Sequence, residues 1–163
     1  MYYSPYPYYR ADWSFRQTGM PLPYSALQES MRIIHDTAAG ESNAEAFYRR
    51  LLELAPSEEE RTIISSIRDD ERRHLQILRE IYLAFTGKEV QVSVPISVYN
   101  EATSYEGALK QALYTKWRMI EQAGSILAAM PTGYYQNLLA KIAVDNVAIV
   151  SKWNYLLISL LHS

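Results

Sequence analysis

Apolar residues recur at helical spacing through most of the chain, most clearly after Pro56. Ser57 and Glu60 match the spacing of a capping box, in which the side chain of each residue accepts a hydrogen bond from the backbone N–H of the other. Gly87 is a typical residue for the end of a helix. The stripe between them predicts a helix over 57–86. The stripe consists of Ile64, Ile67, Glu71, His74, Leu78, Ile81 and Phe85.

The same periodicity predicts three further helices. Their ranges are 24–55, 104–130 and 133–161. Pro56 and Pro131 end two of them, because proline lacks the backbone N–H that continues a helix. Thr103 and Glu106 have the spacing of a second capping box, at the start of the third helix.

Two segments do not follow the helical pattern. Residues 1–23 begin MYYSPYPYYR and hold five of the fourteen tyrosines within nine positions, which favours extended chain over helix. Residues 88–102 alternate apolar and polar side chains and include a proline, as a crossover connection can. The sequence therefore predicts an extended arm at 1–23 and an all-α domain at 24–163. We expect a ferritin-like, up-down-down-up four-helix bundle with one long crossover between the second and third helices.

Composition excludes several classes of function. The net charge is −2 and no basic stripe is present, so nucleic acid is not an expected partner. The chain contains no cysteine, which excludes disulfides and thiolate metal sites. No apolar run is long enough for a membrane span, and the start lacks the apolar core of a signal peptide. We expect synthesis in the cytoplasm without secretion by a signal peptide.

The two predicted hairpins are related by an internal repeat. Shifting the sequence by 75 residues superposes identical residues: Pro56 on Pro131, Ile67 on Ile142 and Asp70 on Asp145. Polar positions of the stripes differ between the halves: Glu41 falls on Lys116, Glu71 on Asn146 and His74 on Ile149. The second half therefore lacks the carboxylates and the imidazole of the first.

The segment TAAGESNAEAFYRRLLELAPSEEERTIISSIRDDERRH resembles the first hairpin of the rubrerythrin and ferritin-like family. In that family one helix supplies a glutamate and the next a Glu-x-x-His pair, and both halves together hold two iron ions. The resemblance covers roughly residues 24–163 and implies that Glu41, Glu71 and His74 are the remaining ligands of a degenerate di-iron site. Isoleucine at 149 cannot bind a metal, and a charged Lys116 repels one.

Lys116 offers a replacement for the absent metal. Two carboxylates on apolar stripes need a neutralising partner, and an ammonium with three donors can serve both. We therefore expect a core without a cofactor. The expected polar core cluster consists of Lys116, Asn146 and Tyr48 beside Glu41, Glu71 and His74.

A single surviving metal is the alternative interpretation. Glu41, Glu71 and His74 form a two-carboxylate, one-imidazole set that suits one iron or manganese ion completed by water. Such a site would handle oxygen or peroxide. Glu45 lies one turn after Glu41 and is either a further ligand or an exposed helix-face residue.

The arm is the second candidate functional feature. Its phenols favour stacking and hydrogen bonding to a partner at low cost in side-chain entropy. The segment resembles the Tyr- and Pro-rich ends of bacterial spore coat proteins. The tyrosines concerned are Tyr2, Tyr3, Tyr6, Tyr8 and Tyr9. We expect a structural or assembly protein of the spore coat rather than an enzyme, forming a homodimer and binding other proteins.

Overall fold

A computed structural model describes residues 24–91 and 104–161, with the backbone alone at positions 41 and 42. The predicted arm, with its five tyrosines, lies outside the described residues. Most of the predicted crossover, 92–103, also lies outside them.

The described chain is all-helical, which confirms the all-α part of the predicted fold class. The helices are α1 Tyr24–Ala39, α2 Glu41–Leu54, α3 Glu58–Thr86, α4 Tyr105–Ala129 and α5 Tyr134–Ser159. No β-strand occurs within 24–91 or 104–161. The last three helices begin and end within two residues of the bounds predicted from the periodicity. No helix in the described ranges has both the length and the hydropathy needed to cross a bilayer.

The first predicted helix, 24–55, is wrong as a single helix because the chain divides at Gly40. Gly40 has φ −79° and ψ 8°, and its amide donates to the Thr37 carbonyl at 3.3 Å, as in a 3₁₀ turn. Glycine is a poor helix former, and a turn this tight changes the direction of the backbone without changing the spacing of apolar residues. Periodicity alone therefore could not reveal the break.

Serine hydroxyls begin the two long central helices. At the start of α3, the Ser57 hydroxyl accepts from the Glu60 amide at 3.2 Å, and the Glu60 carboxylate accepts from the Ser57 amide at 3.2 Å. This is the predicted capping box. The second predicted box, starting at Thr103, is wrong by one residue: Ser104 is the cap, and its hydroxyl accepts from the Gly107 amide at 3.1 Å. Ser and Thr are both favoured N-cap residues, so the sequence offered two adjacent candidates for the cap.

Two apolar clusters form the core. The first contains Phe47, Tyr48, Leu51, Ala55, Ile64, Ile67, Ala108, Leu109, Ala112, Leu113, Ile149, Trp153 and Leu156. The second contains Met31, Ile34, Ala38, Leu78, Ile81, Ile126, Met130, Leu139 and Ile142. Helices α3, α4 and α5 each contribute to both clusters. Helix α2 contributes to the first cluster and α1 to the second, and Gly40 lies between them. A short polar stretch of α3, α4 and α5 therefore separates two apolar regions.

The helices form a ring of contacts. The α1–α2 pair packs against α3 and α4, and α5 packs against the same two helices. Helix α3 also makes polar links to α5: the Tyr155 hydroxyl donates to Glu59 at 2.7 Å, and the Lys152 ammonium lies 3.2 Å from Asp70. These links place the polar stretches of α3 and α5 side by side.

Two glycine substitutions test the helix ends and interiors with the same chemical change. Gly87 ends α3 at φ +68°, a left-handed conformation that a Cβ disfavours, whereas Gly124 lies inside α4 with open space around a built Cβ. We expect Gly87→Ala to lower the free energy of unfolding by about 1 kcal/mol. Gly124→Ala should raise it by about 0.5 to 1 kcal/mol, since alanine favours helix. Urea denaturation measures both changes. Effects of the same sign would contradict the placement of Gly87 at a left-handed helix end and of Gly124 inside a helix.

Candidate functional site

Three helices bring three polar side chains together between the apolar clusters. The Lys116 ammonium of α4 lies 2.5 Å from Oε1 of Glu71 on α3. The same ammonium donates to Oδ1 of Asn146 on α5 at 3.1 Å. The Lys116 side chain is only 5% exposed and the Glu71 side chain 13%. Lys116 and Glu71 therefore form a buried ion pair, with an amide oxygen as a further acceptor.

His74 extends this cluster toward the surface. Its Nδ1 lies 3.6 Å from Glu71 Oε1, which is beyond hydrogen-bond distance, and its Nε2 lies 3.2 Å from Asp145 Oδ2. The Lys141 ammonium donates to the same oxygen of Asp145 at 2.8 Å. A chain of polar contacts thus runs from the buried lysine to an exposed one. Sequence reasoning missed Asp145, which it treated only as the repeat partner of Asp70.

The carboxyl groups of Glu71 and Asp145, which belong to this series of polar contacts, both have pKa values below their ordinary range. Burial raises the pKa of Glu71, but interaction with His74 and with the Lys116 ammonium outweighs it, so the net direction is down. The hydrogen bond from Lys141 lowers the pKa of Asp145, against a smaller opposing effect of burial and with further lowering by His74. Two carboxylates and two ammonium groups therefore balance in charge across the cluster.

Two further predicted site residues, Glu41 and Tyr48, belong to α2. Glu41 is the first residue of α2, directly after Gly40, and its side chain lies outside the described residues. Tyr48 is buried in the first apolar cluster, where its ring stacks on Trp153 with centroids 6.3 Å apart. The Tyr48 ring thus belongs to the first apolar cluster, and Tyr48 also lines the same cavity as Lys116.

Glu45 lies on the outside of the bundle. Arg72 contacts both oxygens of its carboxylate, Nε at 2.5 Å and Nη2 at 2.7 Å. This two-point contact joins α2 to α3 and lowers the pKa of Glu45. Glu45 is thus a half-buried residue of α2 whose carboxylate is held by an arginine of α3.

The described donors do not fit a two-metal centre. The ammonium of Lys116 occupies the space beside Glu71 Oε1, and a cation placed there would meet a positive charge. Ile149, at the repeat position of His74, is 1% exposed within the first apolar cluster. Among the described residues, no group of three or more His, Cys, Asp or Glu side chains is arranged to hold a metal ion. The Glu41 side chain is not part of that set.

An open cavity of about 390 Å³ reaches the ion pair from the side of α1, α2 and α4. Glu71 and Lys116 both line it, and so do Gly40 at the helix break and Trp153 of α5. Of the polar cluster, Glu71 and Lys116 thus border this cavity, and both side chains remain largely buried.

Replacing Glu71 with glutamine tests whether the ion pair stabilises the bundle. Glu71→Gln leaves the buried Lys116 ammonium without a carboxylate, so we expect the free energy of unfolding at neutral pH to fall by about 3 kcal/mol. Urea denaturation followed by circular dichroism measures the change. Glu106→Gln is the matched control, because Glu106 pairs with Lys110 on the exposed face of α4 and such pairs contribute little.

The same pair of proteins tests the pKa of Glu71. In the unfolded chain this carboxyl has its ordinary pKa of 4.5, and in the folded chain its pKa is lower. As pH falls the unfolded chain binds the proton first, so the stabilisation is complete above pH 4.5 and is lost as pH falls through the folded-state pKa. The difference in free energy of unfolding between wild type and Glu71→Gln should therefore shrink as the pH falls below 4.5. A difference that stays constant into acid would contradict the proposed pairing.

Comparison with known proteins gives one partial similarity. No family model matches the chain, and no solved structure matches it. The chain is 38% identical over 90 residues to the protein named "Uncharacterized protein YhjR" of Bacillus subtilis (strain 168). The alignment covers 55% of this chain and 54% of that protein, so the match spans about half of each.

Proposed function

We propose that this chain is a non-catalytic structural or assembly protein of the spore coat, built on a ferritin-like bundle with a degenerate di-iron site. The contact between the Lys116 ammonium and Glu71 Oε1, at 2.5 Å, carries the proposal. A charged lysine supplies the positive charge that bridging carboxylates need, without offering the open coordination positions that metal-dependent catalysis uses. The bundle then serves as a scaffold.

The distribution of the core residues supports the ferritin-like topology within this proposal. Helix α3 passes from Ile67 in the first cluster to Leu78 in the second, and α4 passes from Leu113 to Ile126 in the same direction. The α1–α2 pair and α5 pass in the opposite direction. Two antiparallel pairs with parallel second and third members match an up-down-down-up bundle, whose crossover would join α3 to α4.

The partner-binding part of the proposal rests on the arm. Residues 1–23 combine closely spaced phenols with prolines, a composition suited to binding protein surfaces through stacking and hydrogen bonds. Other coat or assembly proteins are the proposed partners. The arm would provide the contacts, and the bundle would hold it in place.

A homodimer is the proposed state of the bundle. Helix α5 exposes large apolar side chains on both sides of Ser151. The residues are Val144, Val147, Tyr155 and Ile158. A helix with apolar residues on its outer face is typical of one that packs against a partner, and two-fold association is the commonest form of oligomer.

Restoring the ligands absent from the second half tests the degenerate-site assignment. The triple variant Lys116→Glu, Asn146→Glu, Ile149→His places carboxylates and an imidazole at the repeat positions of Glu41, Glu71 and His74. We expect it to bind about two iron or manganese ions per chain, whereas the wild type binds well below one. Elemental analysis by mass spectrometry after dialysis measures metal content, and circular dichroism checks that the variant is helical.

The His74→Ala variant is the control on the wild-type background. Its metal content should equal that of the wild type if Lys116 neutralises the site. About one ion per chain in the wild type, removed by His74→Ala, would overturn the proposal in favour of a mononuclear iron or manganese site on Glu41, Glu71 and His74.

Removing the arm tests the assembly role. In a spore-forming host, a tagged chain lacking residues 2–20 should be released from the coat fraction, while the full chain and its Glu106→Gln variant should be retained. Immunoblots of coat extracts measure retention. Replacing the five arm tyrosines with phenylalanine keeps the rings and removes the hydroxyls, which shows whether stacking alone suffices. Retention of the truncated chain at wild-type levels would contradict the assembly role.

A further inference from the structure

A groove runs along the seam between α1 and α4. It consists of the cavity of about 390 Å³ beside the ion pair and a smaller pocket of about 50 Å³. The two adjoin, because Ile33 and Thr37 of α1 and Met119 and Gln122 of α4 line both. We call this feature the α1–α4 groove.

The two ends of the α1–α4 groove differ in chemistry. The smaller pocket is lined by α1 and not by α2, whereas the larger cavity extends past Gly40 to α2. From the start of α1, the groove therefore passes the smaller pocket first. Ala123 and Leu127 line this pocket and are only partly buried, whereas Lys116 and Glu71 border the larger cavity. A segment with apolar side chains would remove the apolar end of the groove from water.

The arm is long enough to occupy this groove. Residues 1–23 lead directly into α1, which begins at Tyr24. At a rise of about 1.5 Å per residue, Gly40 lies about 24 Å from Tyr24 along the helix. Phe15 lies nine residues before Tyr24, and nine residues of extended chain span up to about 30 Å. Phe15 can therefore reach the larger cavity even after the chain reverses its direction at the start of α1.

The second half of the arm has the composition of a segment that packs on protein. Trp13, Phe15, Met20 and Leu22 occur within ten positions, whereas the five arm tyrosines all occur within residues 2–9. Large apolar side chains at this density favour contact with an apolar surface over contact with water. The two halves of the arm are therefore suited to different tasks.

Charge favours the same placement. Asp12 is the only acidic residue among positions 1–23, and it precedes Trp13. Arg118 is exposed on α4, lines the larger cavity and forms no ion pair within the described part of the chain. Arg32 and Asp36 also line the cavity, but they pair with each other at 2.8 Å. With Trp13 at the cavity, the carboxylate of Asp12 would meet the guanidinium of Arg118.

We propose that residues 12–22 of the arm bind in the α1–α4 groove of their own bundle. An aromatic side chain, Trp13 or Phe15, occupies the larger cavity, and Met20 and Leu22 pack on the apolar end of the groove. The bound segment covers the opening beside the ion pair. Residues 1–10, with the five tyrosines, then leave the bundle near the helix break and are available to partners. This inference does not depend on the proposed coat function.

Limited trypsin digestion of the full chain tests the proposal, because Arg16 lies inside the segment proposed to bind. Ala123→Lys places a charge in the smaller pocket and should release the segment. We expect cleavage after Arg16 to be about tenfold faster in Ala123→Lys than in the wild type, since proteolysis follows the population of the open form. Ala128→Lys is the matched control, because Ala128 is exposed on α4 and lines neither pocket. Its cleavage rate should equal that of the wild type, and mass spectrometry of the released peptide measures all three.

A cysteine trap locates the segment directly, because the chain contains no cysteine of its own. Ser14→Cys combined with Gln122→Cys pairs the arm with an exposed position that lines both pockets. Under mild oxidation we expect a disulfide within one chain, formed at least about fivefold faster than in the control pair, since docking raises the effective concentration. The control pair is Ser14→Cys with Ser151→Cys, at an exposed position of α5 outside both pockets. Non-reducing gel electrophoresis separates disulfides within a chain from those between chains.

Three results would overturn the proposal. The first is equal cleavage after Arg16 in the wild type and in a helical Ala123→Lys variant, with circular dichroism as the check on folding. The second is equal disulfide formation by the two cysteine pairs. The third is a disulfide mainly between chains, which would place the arm on a second copy. The cysteine trap decides even if Ala123→Lys proves unstable, and both measurements are separate from the metal and coat experiments that test the proposed function.

Discussion

The buried pair of Lys116 and Glu71 is the constraint on which the rest of the bundle depends. Removing two charges from water is costly, and their attraction offsets that cost only where further hydrogen bonds hold them in place. Asn146 provides one such bond to the ammonium at 3.1 Å, and His74 continues the contacts to Asp145. These groups come from α3, α4 and α5. Keeping the ion pair hydrogen-bonded therefore fixes how far these three helices can slide along one another.

The pair also divides the core, and that division has a consequence for specificity. Two halves related by a repeat present similar apolar stripes, which could pack at other heights with little loss of buried area. Any shift would separate Lys116 from Glu71 and leave both charges buried without partners. Apolar residues at these positions could give equal stability, so selecting one register is the stronger physical reason for the polar layer.

Features set by local chemistry could be predicted from the sequence, and features set by the distance between helices could not. The bounds of α3 follow from its capping box and from Gly87, and the meeting of Lys116 with Glu71 follows from the 75-residue repeat, which places equivalent positions at one level. Asp145 lies off the apolar stripe and contacts His74 of α3, whereas its repeat partner Asp70 contacts Lys152 of α5. The break at Gly40 leaves the spacing of the apolar residues unchanged, and the cavity depends on how far apart the helices lie, so residue spacing reveals neither of them.

The break, the cavity and the polar layer occur at the same height of the bundle. Gly40 lines the opening, and the far side holds the buried pair and the indole of Trp153. Protein interiors are close-packed, and a purely structural core gains stability when side chains fill such a volume. A polar lining instead favours water or a ligand in it. Any ligand that occupies this volume only in the folded chain would therefore add to the stability of the bundle, through the same level of the core that holds the buried ion pair.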